Sequence, residues 1–368
     1  MKKLKILRRI LLIFFIAILV ILIIAFLFLK FYPSVGKTPD KEMQKSFAEK
    51  TDKFYDGEFH NENGFKLMSG NIGKKSSRRT PDDTIPVMEL KDIQRADVND
   101  MNVTWLGHSS SFIQMGDKNI LIDPVLTKRT SPVGFAGPKR FSDIALKPEN
   151  VPDIDVLFIS HDHYDHLDYD TIKAIDSKVS AYIVPLGVDS YLKGWGIDES
   201  KLHSLYWWED IELDGLTCTL TPSQHFSGRN PLKSNITLWG GLYINNGKHS
   251  LYFTGDGGYY DVFTKVREKL GAPELMLVED GQYDTGWPDS HMTPESSAQA
   301  VKDAGAKWAV PVHWGAFVLA NHSWDDPIIR ITREAERLGV NLATPRIGET
   351  VSFDSIDSFT EKWWEGLD

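Results

Sequence analysis

The chain has almost no cysteine. Cys218 is the only one among 368 residues, which excludes an intrachain disulfide and any cysteine-rich metal site. Positive charge is not in excess either: 41 Lys and Arg stand against 51 Asp and Glu, for a formal net charge of −10. A body of that sign is unsuited to wholesale nucleic-acid binding, which works by neutralising phosphates with Lys and Arg. From Ile10 to Leu29 there is no charged or polar side chain at all. A run of about 20 apolar residues is enough to cross the hydrocarbon core of a bilayer.

That run follows Lys2, Lys3, Lys5, Arg8 and Arg9. A basic cluster before a span favours an inside N-terminus and puts the remainder outside the cytoplasmic membrane, although Lys30, Lys37 and Lys41 work against it. Cleaved signal peptides have a shorter apolar region and a small-residue cleavage site; Lys30-Phe31-Tyr32-Pro33 is a poor one. Residues 1–30 are therefore read as an uncleaved single-pass anchor, with the catalytic part extracytoplasmic. Residues 31–100 are polar and weakly periodic, and read as a linker and an arm laid over the domain. The basic stretch from Gly73 to Arg79 in that arm is either solvated or placed near anionic headgroups. Residues 101–368 read as one compact domain. A hydrophobic content of 42% with 11 Trp indicates a substantial core.

Within this domain, apolar runs at 103–107 and 111–115, a Gly116-Asp117 turn and a run at 119–123 predict strands with a hairpin. A similar pair follows at 237–244 and 249–256 around an Asn245-Asn246-Gly247 turn. Both hairpins end in an aspartate, Asp123 and Asp256. Val156 to Ser160 and Ala309 to His313 predict two further strands. Thr293 as N-cap, Pro294 in the first turn and Gly305 as a stop predict a helix from Pro294 to about Ala304. Two β-rich halves with helical segments imply packed sheets with helices outside.

Five of the 11 histidines, with three aspartates, sit where predicted strands run into loops. His161 and His163 are two apart and can point the same way from an extended segment. Asp165 and His166 follow at once and can serve a neighbouring metal. His225, Asp256 and His313 lie in downstream loops. Imidazole and carboxylate ligands without thiolates suit a catalytic zinc. A lone strand-end histidine is usually structural, but four candidate ligands in the six residues from His161 to His166 are not explained that way.

The run His161-Asp-His-Tyr-Asp-His166 with His225, Asp256 and His313 resembles the metallo-β-lactamase fold superfamily, from about Val103 to Phe353. Trp105-Leu-Gly-His-Ser, Gln224-His-Phe-Ser-Gly-Arg, His291-Met-Thr-Pro-Glu and His313-Trp-Gly-Ala-Phe resemble, within it, the N-acylphosphatidylethanolamine-hydrolysing phospholipase D group. The resemblance implies an α/β fold, an αββα sandwich, here preceded by a transmembrane helix. It implies that His161, His163 and His225 hold one Zn2+, that Asp165, His166 and His313 hold a second, and that Asp256 bridges them; other divalent metals suit the same ligands. Tyr164 and His291 match substrate contacts, although His291 could instead cap the helix beside it. Asp123 matches a carboxylate that orients a ligand, with a turn before Pro124 as the plainer reading. His108 reads as an internal hydrogen-bonding histidine, and His60, His203, His249 and His322 as ordinary.

Two metals a few ångströms apart would hold a water that loses its proton near neutral pH, with Asp165 or Asp256 to orient it or receive the proton. The implied activity is hydrolysis of N-acylphosphatidylethanolamine or a related membrane phospholipid. A lactonase or sugar-phosphate hydrolase is the alternative enzyme, and a binding module retaining the fold the non-enzyme alternative. Phe135, Trp195, Trp207, Trp208, Trp287 and Trp324 are candidates for a lipid groove, with core or rim packing expected for most.

Overall fold

The computed structural model describes every residue except Met1, Gly70, Pro231, Leu232 and Asp368. Met1 and Asp368, the outer bounds of the expected anchor and domain, thus lie outside the described residues.

Two mixed sheets form the body. One has seven strands, in the order Thr350–Ser352, Met101–Trp105, Ser111–Met115, Lys118–Ile122, Ile154–Phe158, Val179–Pro185 and Leu202–Leu205. The other has six, in the order Trp308–Val312, Leu275–Glu279, Ser250–Phe253, Gly241–Asn245, Leu216–Thr221 and Asp210–Leu213. Each joins an antiparallel hairpin region to a run of parallel strands. The parallel strands read as continuous apolar runs because both their faces are covered: all of Leu275–Glu279 is buried. Phe158 and Phe253 meet edge to face across the sheets with ring centroids 6.3 Å apart.

The expected helix spans Pro294–Ala304, capped by Thr293, whose Oγ1 accepts from Ser296 N, and ended by Gly305 at φ 68°. It packs on the strand Leu275–Glu279. The expected strand from Thr237 begins only at Gly241. The preceding residues cross towards the other sheet: Leu238 N donates to Leu186 O at 2.8 Å and Gly240 N to Ser160 O at 3.1 Å. A Cβ on Gly241 would lie 2.4 Å from Phe253 O, so glycine is required where the crossing meets the ladder.

Residues 41–61 form a short helix, Lys41–Lys50, capped by Asp40, and a small hairpin of Phe54–Tyr55 with Glu58–Phe59. Phe47, Phe54 and Phe59 are buried in the main core and pack together at 4.7 to 5.5 Å between ring centroids. The arm is therefore held by aromatic burial. It reaches the centre of the protein through Asn61, whose Nδ2 donates to His225 O at 2.8 Å while its Oδ1 accepts from His225 N at 3.0 Å. Lys2–Phe31 is one helix, long and apolar enough to cross a membrane.

Phe59 has no exposed surface. Phe59→Ala is expected to destabilise the protein by about 3 kcal/mol or more, measured by denaturant unfolding. A change below about 0.5 kcal/mol would mean that the arm is not part of the cooperative core.

Candidate metal centre

Six strands deliver their C-terminal ends to one place. Lys118–Ile122 leads to Asp123, Ile154–Phe158 to the run from His161 to His166, and Leu216–Thr221 to His225. Ser250–Phe253 leads to Asp256, Leu275–Glu279 ends on Glu279, and Trp308–Val312 leads to His313. Loops beyond the carboxyl ends of strands are where α/β sheets open a crevice. Three of the residues there have positive φ although none is glycine: His108 at 54°, Asp123 at 42° and His313 at 71°. That conformation is held by surrounding contacts, as strained residues at functional sites require. His313 N donates to His108 O, and His108 N to Trp314 O, both at 2.9 Å. Trp105 Nε1 donates to His108 O at 2.7 Å.

The hydrogen bonds assign the ring nitrogens. Ser160 N and Oγ donate to the Asp123 carboxylate at 2.7 and 2.6 Å. With its proton committed there, Ser160 Oγ accepts from His161 Nδ1 at 2.9 Å. That leaves a lone pair on His161 Nε2. His225 Nδ1 donates to Ser290 O at 3.0 Å, which leaves a lone pair on its Nε2 as well. Both Nε2 atoms face the same atom, His163 Nδ1, at 2.8 and 3.4 Å. One proton on His163 cannot satisfy both. A second demand lies next to the first. His166 Nδ1 donates to Asp123 Oδ2 at 2.7 Å, and its Nε2 faces Asp256 Oδ2 at 3.1 Å and Asp165 Oδ2 at 3.4 Å, two carboxylates that hold a second proton on the ring unless a cation takes its place. Asp256 Oδ1 lies 3.1 Å from His313 Nδ1. His166 Nε2, His313 Nε2 and Asp256 Oδ1 are buried and have no hydrogen-bond partner among the described residues.

Convergent lone pairs and orphaned buried ligand atoms are what a cation resolves, so the residues present fit a divalent metal centre. His161, His163 and His225 form one group whose ligand atoms lie within 4.8 Å of one another; His108, Asp165, His166 and His313 form another; Asp256 joins His161 and His166 in a third. His108 donates from Nε2 to Asp165 Oδ2 at 2.9 Å, fixing that carboxylate.

Burial first, and then the neighbouring imidazoles, hold His161 well below the usual range, while burial outweighs the pull of Asp256 on His225 and holds it low too. These rings are neutral and able to ligate. His166 is pushed the other way: burial is outweighed by the charges of Asp256, Asp165 and Asp123. Asp165 and Asp256 lie well below the usual carboxylate range, since nearby imidazoles, His166 foremost, overcome their burial.

Glu279 was not singled out from the sequence, although it stands at the end of an apolar strand as Asp123 and Asp256 nearly do. Its Oε2 accepts from Gly257 N at 2.9 Å, and its Oε1 is paired with His291 Nδ1. Burial and the charge of Asp256 push the Glu279 carboxyl well up, and burial pulls His291 down to about 3. A protonated Glu279 donating to Nδ1 leaves the proton of a neutral His291 on Nε2. The helix start beside His291 is capped by Thr293 instead.

A cavity of about 210 Å³ opens over this cluster. Its floor includes His163, Asp165, Asp256, His291 and His313, and its rim is Leu67, Met68, Phe226, Trp287 and Leu319. Tyr164 is not brought to that cavity: its hydroxyl donates to Arg229 O at 3.1 Å and its ring lies 4.0 Å from the Arg229 guanidinium. Of the aromatic residues considered for a lipid groove, Trp287 alone lines it among the described residues; Trp195, Trp207 and Trp324 are buried, and Phe135 is exposed elsewhere. Leu67 and Met68 come from the arm, where no periodicity marked them.

Asp256→Asn is expected to abolish stoichiometric metal binding, read by metal analysis of the purified protein. Asp123→Asn is expected to weaken metal affinity about 10- to 100-fold through loss of the His166 orientation; unchanged affinity would refute that role. The buried His108 and His291 both have folded values near 3, well under the usual 6.5. The unfolded chain therefore binds more protons between those values, and the chelated protein should lose stability as pH falls from about 6.5 towards 3. Urea midpoints that stay flat across this window would contradict it.

Residues 118–314 match the family model described as the beta-lactamase superfamily domain. An uncharacterized protein of Mycobacterium tuberculosis is 38% identical over 290 residues, 78% of this chain and 77% of that one. The N-acyl-phosphatidylethanolamine-hydrolyzing phospholipase D 1 of Caenorhabditis elegans is 33% identical over 272 residues, covering 70% of this chain and 76% of that one. Among solved structures, Igni18, a metallo hydrolase from Ignicoccus hospitalis, aligns with a TM-score of 0.53 at 22% identity, over 69% of this chain and 98% of that one. A possible metal-dependent hydrolase from Veillonella parvula aligns with a TM-score of 0.57 at 19% identity, over 68% of this chain and 99% of that one. The sheets, the ligand-bearing strand ends and these similarities together establish the chain as a metal-dependent hydrolase of the beta-lactamase superfamily, with the metallo-β-lactamase fold.

Proposed function

We propose that the protein is a phospholipase D-type phosphodiesterase that cleaves N-acylphosphatidylethanolamine or a closely related phospholipid. The observation that carries this reading is the cavity's division of labour: a floor of imidazoles and carboxylates under a rim of Leu67, Met68, Phe226, Trp287 and Leu319. A polar floor receives a phosphodiester and an apolar rim receives acyl chains. The 33% identity with the C. elegans phospholipase over 70% of this chain supports the same substrate class.

In this reading His161, His163 and His225 would hold one zinc, Asp165, His166 and His313 the other, and Asp256 would contribute to both. Bound in this way, the pair would supply Lewis acidity and a water acidic near neutral pH. The chain's own residues do the rest. Glu279 holds the His291 ring by Nδ1, which leaves Nε2–H to donate to a phosphate oxygen and to the charge that develops on it. His108 keeps Asp165 oriented at 2.9 Å, so that this carboxylate is placed to orient a water or take its proton. Hydrolysis breaks the bond between phosphorus and the ethanolamine oxygen, giving phosphatidic acid and N-acylethanolamine. The helix Lys2–Phe31 would keep the enzyme at its substrate's surface, raising the effective concentration there, with the catalytic domain extracytoplasmic.

Purified protein offered N-acylphosphatidylethanolamine, a sugar lactone and a bis-aryl phosphodiester side by side is expected to release N-acylethanolamine and phosphatidic acid from the first. Turnover of the lactone alone would replace this reading with the lactonase one. His291→Ala is expected to keep its metal and lose about 100- to 1,000-fold in kcat, the scale of one oxyanion donor. Loss of metal from that variant would move His291 from substrate to metal.

A further inference from the structure

Beyond the metal centre, a second constellation lies where the apolar helix meets the body. Residues Thr127 to Lys139 form a loop closed by an antiparallel bridge between Arg129 and Lys139, with Thr130 N donating to Pro138 O at 3.2 Å. Its tip, Pro132 to Ala136, is uncharged, and Phe135 is 84% exposed, more than any other large hydrophobic side chain among the described residues. An exposed aromatic at the tip of a pinned loop is not explained by the core. The loop is tied to the end of the helix, since Ser34 Oγ donates to Pro132 O at 2.5 Å.

Under this loop is a cavity of about 410 Å³, whose lining includes Tyr32, Ser34, Lys128, Arg129, Asp168 and Arg229. Arg229 is 2% exposed. Its Nε donates to Ser34 O at 2.8 Å, and its Nη1 to Asp162 O and Leu167 O at 3.1 and 2.6 Å. Its Nη2 is buried with no hydrogen-bond partner among the described residues. The guanidinium also lies over the Tyr164 and Trp195 rings, at 4.0 and 5.2 Å; its uncommitted amino group is free to take an anion, and Arg suits phosphate or carboxylate. Asp170 also lines the cavity, but Asp168 directs its Oδ2 at Thr171 N and Oγ1, at 3.0 and 2.5 Å. In a chain of net charge −10, the cations Lys128, Arg129 and Lys139 flank an apolar tip beside the membrane end of a hydrophobic helix.

We propose that the loop Thr127–Lys139 is a second membrane contact, in which Phe135 enters the bilayer and the cavity beneath takes the phosphate of a phospholipid headgroup on Lys128, Arg129 and Arg229. The inference rests on the helix Lys2–Phe31 lying in a membrane and is independent of which lipid is hydrolysed. Anchor and loop would then hold the body at two points, fixing its tilt on the surface. Because Arg229 also holds the carbonyls of Asp162 and Leu167, the headgroup would press on a residue that supports the loop from His161 to His166.

The test uses the full chain in phosphatidylglycerol vesicles. Cys218 is fully buried, so Phe135→Cys supplies one accessible thiol for a spin label. The label is expected to collide more with oxygen in the bilayer than with a water-soluble nickel complex. Protein retained in the membrane but labelled in water would overturn this inference alone; protein released by carbonate washing would overturn the anchor and this inference with it. Arg229 also supports the fold, so the phosphate site is tested at the surface. Lys128→Gln with Arg129→Gln is expected to bind short-chain phosphatidylglycerol roughly thirtyfold more weakly, with the Asp256→Asn protein, whose metal centre is disabled, keeping the binding. Undiminished binding by the double variant would overturn the site. Inorganic phosphate bound as tightly as the lipid would overturn the headgroup as its source.

Discussion

Two imidazole lone pairs, on His161 and His225, point at one nitrogen of His163, and beside them His166 Nε2 faces the Asp256 carboxylate. The residues around the cluster hold this arrangement. Left alone, the facing lone pairs would repel, and burial would make the repulsion worse by removing solvent. It is held by commitments made at the opposite side of each ring: Ser160 and Asp123 behind His161 and His166, and Ser290 O behind His225. Those commitments work only because strand ends from both sheets place them within hydrogen-bond reach. Positive φ at His108, Asp123 and His313 shows that the backbone itself is bent to this purpose.

The arm connects stability to the site. Phe47, Phe54 and Phe59 bury against the main core, and the same segment then clasps the backbone of His225 through Asn61 and lends Leu67 and Met68 to the cavity rim. A candidate metal ligand and an apolar rim are thus supplied or steadied by residues that precede the compact sheets in the chain. Arg229 makes the corresponding link on the other side of the run from His161 to His166, joining Ser34 at the end of the apolar helix to Asp162 and Leu167. The ligand loop lies between these two supports, so its geometry depends on segments that a minimal sheet sandwich would lack.

The chemistry of the centre was legible in the chain because it is local. Four potential ligands in six residues, with Asp123, Asp256 and His313 each just after an apolar run, mark candidate ligands by residue type and spacing alone. The helix from Thr293 to Gly305 and the first hairpin were legible for the same reason, since capping and turn signals act over a few residues. The apolar helix was legible from composition alone. Contacts between distant parts of the chain were not. Glu279 acquires its role only when the strand Leu275–Glu279 lies beside His291, and the run from Thr237 to Gly240 leaves its strand only because Ser160 and Leu186 are there to accept its hydrogen bonds. Tyr164 sits inside the ligand run yet turns onto Arg229, a partner 65 positions away. Sequence alone therefore determined which residues are candidate metal ligands, because that is a property of residue type and spacing. Tertiary structure decided which face of each side chain is free and which is committed to a support, because that depends on hydrogen-bond partners and packing surfaces brought from elsewhere in the chain.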